Sequence, residues 1–178
     1  MEPGFELIKI DWGDGGVLYT VEFDDEDLSE YEKFCRRPRV EGTDELEDME
    51  IQLDYMLDER GYVEHVFKTE KYEAPECAYH KGRLRMYCLR YSSSVLVAGS
   101  GGYKPEEIDG EEVTRLQDVD HLDRAFKNIQ YVRSRISRRL SLAQSVHPRL
   151  RDNCLQLTDE DFVGPPEAFE FEPTGTET

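Results

Sequence analysis

Residues 83–104, RLRMYCLRYSSSVLVAGSGGYK, hold two strand patterns and no acidic residue, in a 178-residue chain of formal net charge −18. Alternation over Arg83–Tyr91 puts Arg83, Arg85, Tyr87 and Tyr91 on one face and Leu84, Met86 and Cys88 on the other. Ser92-Ser93-Ser94 predicts a short connection, and the all-apolar Val95–Gly99 that follows has the character of a central strand. The glycines after Ala98 predict a tight exit from that strand. The pair therefore forms the middle of a sheet, and its arginine- and tyrosine-bearing face is expected to be open.

Outward from this pair, the chain begins as a β-hairpin, FELIKID and VLYTVEF around Gly13-Asp14-Gly15-Gly16, with a loop longer than two residues. A first helix follows Asp25, with Leu28, Tyr31 and Phe34/Cys35 at helical spacing and Pro38 beyond its end. A second starts at Thr43 as N-cap, carries Leu46, Met49, Leu53 and Met56/Leu57 on one face, and stops at Gly61. The acids on the outer faces of both helices form a solvated surface. Residues 62–68 predict a short strand. A long helix spans about Thr114 to Leu142, with Leu116, Val119, Leu122, Phe126, Ile129, Val132, Ile136 and Leu140 as its core-facing stripe. CLQL and FEFE in the tail read as short strands, the latter able to add to a sheet edge.

The order gives an α+β class: N-terminal hairpin, paired helices, mostly antiparallel sheet, long helix, short β arm, with the helices on one face. No internal repeat or interdomain linker interrupts it. One domain over 1–172 is expected, with the β arm at about 153–172 and a disordered tail at 173–178.

Composition narrows the classes. Hydrophobic residues make up 38%, with eight Phe and ten Tyr, enough for a packed core. No apolar run reaches membrane-spanning length and no secretory signal opens the chain, which predicts a cytoplasmic protein without membrane contact. The four cysteines lie far apart with no C-x-x-C pair. Cys77-Ala-Tyr-His80 has the spacing of half a zinc site without a second half, so neither a metal nor another cofactor is expected. GSGGYK lacks the hydroxyl residue after lysine that a phosphate loop requires.

The charge is segregated. Residues 77–104 and 124–151 hold 13 of the 22 basic residues and none of the 40 acids. Two readings follow: a basic face for a polyanion, with acids keeping the remainder soluble or masking that face, or windows poor in acid because they are buried. The excess of carboxylate, with seven Lys against 15 Arg, also suits a salt-rich cytoplasm.

Cys77-Ala-Tyr-His-Lys-Gly-Arg-Leu-Arg-Met-Tyr-Cys-Leu-Arg-Tyr91, followed by Val-Leu-Val-Ala-Gly-Ser-Gly-Gly-Tyr-Lys104, resembles the RelE/ParE-like toxin superfamily. The similarity is greatest to long stand-alone relatives of its phage-derived HigB-like branch. The resemblance implies an α+β fold whose open sheet face cleaves mRNA on the ribosome without a metal, by attack of the RNA 2′-OH on the adjacent phosphate. Lys104 matches the lysine that closes the family's G-G-x-K turn, and with Arg85, Tyr87 and Tyr91 of the strand face it is the expected catalytic set. Arg83, Arg85 and Arg90, with Arg133 and Arg138 of the second basic window, are the expected nucleic-acid contacts. RNA, the ribosome or an antitoxin-like protein would be the partner. The chain departs from that pattern in its acidity, with a pI near 4.6, and in Pro105-Glu-Glu where further lysines are usual. The alternative is a non-enzymatic module of the same fold that binds a protein or polyanion through a basic sheet face, with the acidic helices or the tail from Asp159 to Glu172 covering that face in cis.

Overall fold

The computed structural model describes residues 2–62, 66–68, 77–91, 93–113, 119–146 and 168–174. β1 (Phe5–Gly13) and β2 (Gly16–Phe23) form the expected hairpin. Gly13 pairs with Gly16, so the turn is Asp14-Gly15 alone, shorter than the sequence suggested. α1 (Glu30–Cys35) is six residues long and is held by a complete capping box. Glu32 N–H donates to Ser29 Oγ, and Ser29 N–H donates back to the Glu32 carboxylate.

α2 (Asp44–Tyr55) starts at Thr43, whose Oγ1 accepts from Leu46 N–H, and continues into a π-helical turn over Met56–Arg60. It stops at Gly61, where φ is +72°, a conformation that favours glycine.

β3 (Phe67–Lys68), β4 (Cys77–Lys81), β5 (Leu84–Arg90) and β6 (Val95–Tyr103) follow. β4 was not expected as a strand from the residue pattern, and β6 runs four residues beyond Gly99. The glycines of β6 remain in the strand and serve close approach instead of an exit. A Cβ on Gly101 would meet the Arg85 carbonyl oxygen at 1.9 Å. A small hairpin, β7 (Glu107–Ile108) and β8 (Glu111–Glu112), turns at Asp109-Gly110, both at positive φ. α3 (Asp120–Val146) is the long helix, and β9 (Ala168–Phe171) is the FEFE arm. The predicted start of the helix at Thr114 and the CLQL strand lie outside the described residues.

Among the described residues, seven strands form one sheet in the order β3-β4-β5-β6-β2-β1-β9. Five of its neighbouring pairs are antiparallel, and β2 with β6 is parallel. The class is α+β with a mostly antiparallel sheet, and the FEFE arm does add to its edge, on β1. Thr174, expected in a disordered tail, donates its N–H to Glu2 O at 3.1 Å.

The helices do not share one face. α3 packs Leu122, Phe126, Ile129, Val132 and Ile136 on Phe5, Tyr19, Val21, Tyr87, Leu89 and Val97. α1, α2 and the π turn pack Phe34, Met49, Leu53 and Leu57 on Leu18, Met86, Cys88, Leu96 and Ala98 of the opposite face. A central strand covered on both sides explains the correction: β5 alternates between two interiors, not between interior and solvent. Among the described residues, no helix is long and apolar enough to cross a membrane.

Candidate functional site

The residues expected to form a strand-face site are separated by this architecture. Tyr87 is fully buried, with its ring 5.5 Å from that of Phe126 on α3. Tyr91, just past β5, is partly buried against the same cluster, and its N–H donates to Val95 O. Arg85 and Tyr91 stand six residues apart on an extended chain, about 20 Å at the usual rise per residue. Lys104 sits at the Arg85 end, where its N–H donates to Arg83 O at 2.9 Å. Arg85, Tyr87, Tyr91 and Lys104 therefore do not meet in one solvent-open cleft. The open face expected of them is the one α3 covers.

The arginines proposed to hold nucleic acid have work within the fold. Arg83, in the turn before β5, pairs with Glu106. Arg85 Nη1 donates to Gly82 O at 2.7 Å and Leu84 O at 2.9 Å, closing that turn. Arg90 Nε donates to Tyr62 O at 2.7 Å. On α3, Arg133 is half-buried and Arg138 exposed. Between and beyond them, Arg135 donates to Glu172 O at 2.5 Å and Arg139 to Glu170 O at 2.9 Å, fastening β9. Main-chain carbonyls accept from Arg85, Arg90, Arg135 and Arg139, so these four arginines have partners other than carboxylates.

A different group of cations does converge. β2 and β6 pair from Val17↔Val95 to Thr20↔Ala98 and no further. Past that point β2 runs on to Phe23 beside β1 alone before the chain turns to α1, while β6 runs on to Tyr103. The gap is framed by the segment after β2, by α1, by β6 and by the first half of α3. It forms a cleft of about 630 Å³ lined by Glu26, Glu30, Lys33, Arg37, Ser100 and Arg124, among others. A neighbouring compartment of about 320 Å³ shares Arg37 and Pro38 with it, and adds Arg39, Val40, Tyr103, Pro105 and His121.

Local chemistry fixes these side chains. Glu30 opens α1 at 3% exposure and accepts from Lys33 Nζ at 2.5 Å and from Asn128 Nδ2 at 3.3 Å. Burial pushes its carboxyl above the usual range, against the lowering effects of the Asn128 hydrogen bond and of Arg37. Lys33 also pairs with Glu26. Arg37 lies between the two compartments with its Nη2 3.5 Å from Ser100 Oγ. Its buried Nε finds no hydrogen-bond acceptor among the described residues. Burial first, and then Arg124, lower the Arg37 pKa, while Glu30 opposes them. Lys33 is lowered by burial, then by Arg37 and Arg124.

His121, in the first turn of α3, is lowered by burial and by Arg37 and Arg39, against a hydrogen bond to the Tyr103 main chain. It reaches its place because residue 102 is glycine. A Cβ there would meet the imidazole at 2.6 Å and Arg37 Cδ at 3.3 Å. Arg39 lies over the Tyr103 ring at 5.8 Å.

The result is a concave site in which Arg37, Arg124 and Lys33 lie near one another beside Glu30, and the buried Arg37 Nε has no acceptor among the described residues. An anion entering it would supply that acceptor beside the three cations. Lys33, Arg36, Arg37 and Arg39 were assigned no role from the sequence, although Lys33-Phe34-Cys35-Arg36-Arg37-Pro38-Arg39 places four bases in seven residues. That density was the available signal. No family model, no curated protein and no solved structure matches the chain.

Proposed function

We propose that this protein is a binding module for an anionic ligand, which it takes in the cleft between α1 and α3. The observation that carries the reading is Arg37. Its Nε is buried near Glu30, Arg124 and Lys33 and has no hydrogen-bond acceptor among the described residues. A buried donor left unsatisfied costs about 1–3 kcal/mol, and a ligand oxygen would recover it. This is the binding-module alternative relocated from the sheet face to the cleft.

The ribonuclease reading taken from the toxin resemblance gains no support from the geometry. Its reaction needs a base, an acid and cations around one phosphate. The residues proposed for those roles lie under α3 or at opposite ends of β5.

Calorimetric titration of the full chain with inorganic phosphate at low ionic strength tests the proposal. Binding that weakens at least tenfold in Arg37→Gln, and falls as salt is raised, is the expected result. No binding, or binding indifferent to Arg37→Gln, overturns it.

A further inference from the structure

The two compartments differ in chemistry, and the difference points to a ligand class. Among the described residues the 630 Å³ cleft holds Lys33, Arg36, Arg37 and Arg124 with Glu26, Asp27 and Glu30, and a buried serine hydroxyl at Ser100. The 320 Å³ compartment has no acid among its described lining. Its walls are Pro38, Val40, Tyr103 and Pro105, with the Arg39 guanidinium and the His121 imidazole at its polar rim. Arg37 and Pro38 form the shared wall. Taken together, five Lys and Arg side chains face three carboxylates in the lining and Glu32, which pairs with Arg36, an excess of one positive charge that favours an anion. Proline, tyrosine and guanidinium surfaces at the second compartment suit a flat ring, which stacks on such surfaces. The adjoining volumes lie in the range usual for small-molecule sites.

We infer that the ligand is a nucleoside monophosphate, free or as the 5′-phosphorylated end of a strand. Its phosphate sits against Arg37, Arg124, Lys33 and Ser100, and its base in the Tyr103–Pro105 compartment. This rests on the anion-binding reading and adds the ring. No covalent step is involved: the site holds the monophosphate through charge and stacking.

The test is calorimetry on the full chain with three probes: inorganic phosphate, ribose 5-phosphate and adenosine 5′-monophosphate. The expected result is binding of all three, with the nucleotide about tenfold or more tighter than ribose 5-phosphate. That ratio should fall toward one in Tyr103→Leu and, independently, in the exposed-site variant Arg39→Gln. Equal affinities for nucleotide and ribose 5-phosphate overturn the inference and leave the anion reading standing. Failure of all three probes removes both. A 5′-phosphorylated tetranucleotide, run beside the mononucleotide, separates the two sources: tighter binding of the oligonucleotide assigns the site to strand ends, weaker binding to the free nucleotide.

Discussion

Glu30 and Asn128, ninety-eight positions apart, join across the end of the sheet: Asn128 Nδ2 donates to Glu30 Oε2 at 3.3 Å. α1 and α3 cover opposite faces, and they touch here because β2 and β6 stop pairing at Thr20 and Ala98. This contact closes one side of the cationic cleft and keeps its buried carboxylate supplied with donors.

Asn128→Ala removes one of those donors and leaves Glu30 with Lys33. A loss of about 1–3 kcal/mol is expected in urea unfolding. Phosphate affinity should drop as well, because the α1–α3 spacing is no longer held. An unchanged unfolding midpoint would show that the contact contributes nothing.

Tyr87 separates a core residue from a reacting one. Tyr87→Ala should cost about 3–5 kcal/mol, as deletion of a fully buried aromatic does. Tyr87→Phe should stay folded with phosphate affinity intact. A well-folded Tyr87→Phe protein that had lost a ligand-dependent function would return the site to the strand face.

His121 gives a pH dependence of definite sign. Its folded pKa lies below the ordinary 6.5, so between the two values the unfolded chain binds more protons. Stability on this account rises with pH through that window and is lost as pH falls below 6.5. Arg37, Arg39, Asp120 and the Tyr103 main chain are the groups that set the shift. Melting curves of wild type and His121→Gln from pH 7.5 to 5 should converge as pH falls. Parallel curves would mean that His121 titrates normally. Glu30, with its pKa raised, works in the opposite direction: its contribution falls as pH rises above its unfolded value of 4.5.

The β9 arm is held by the β1 ladder, by Phe171 stacked on Phe5 at 4.6 Å, and by Arg135 and Arg139 bonded to its carbonyls. Deleting residues 168–178 uncovers these two guanidinium groups beside the exposed Arg138. Binding to a single-stranded oligonucleotide or heparin should rise severalfold and collapse with salt. Stability should drop through loss of the aromatic packing. An unchanged polyanion affinity would sink the idea that the arm masks this end of α3.

Gly102→Ala places a methyl group 2.6 Å from the His121 imidazole, where the neighbouring Arg37 leaves little room to yield. Overpacking of this kind costs about 1–3 kcal/mol. Phosphate binding should weaken with it, since both displaced side chains line the site. Wild-type affinity in a folded Gly102→Ala protein would show that the two side chains can shift without consequence.

Much of the fold was legible because local chemistry encodes it. Asp14-Gly15 marks the hairpin, Thr43 and Gly61 bound the second helix, and the spacing from Leu122 to Ile136 marks the core stripe of α3. Asp109-Gly110 carried the same turn signal as Asp14-Gly15, yet the acidic residues around it obscured a real hairpin. The face of β5 was misread for a physical reason. Arginine and tyrosine look solvent-bound in a sequence, but arginine stems pack while their heads reach carbonyls, and a buried tyrosine ring packs like phenylalanine. The cleft was not legible as a unit. Its walls come from residues 26–40, 100–105 and 121–128, brought together by a parallel pairing that no local pattern announces. Only its basic run, residues 33–39, stood in plain view.

The most direct test is the Nε–H resonance of Arg37 in a 15N-labelled sample titrated with phosphate. The account predicts that this signal shifts most, joined by the side chains of Arg124 and Lys33, while Arg83, Arg85 and Arg90 hold still. Phosphate-induced shifts confined to Arg85 and Lys104, with Arg37 unmoved, would contradict it.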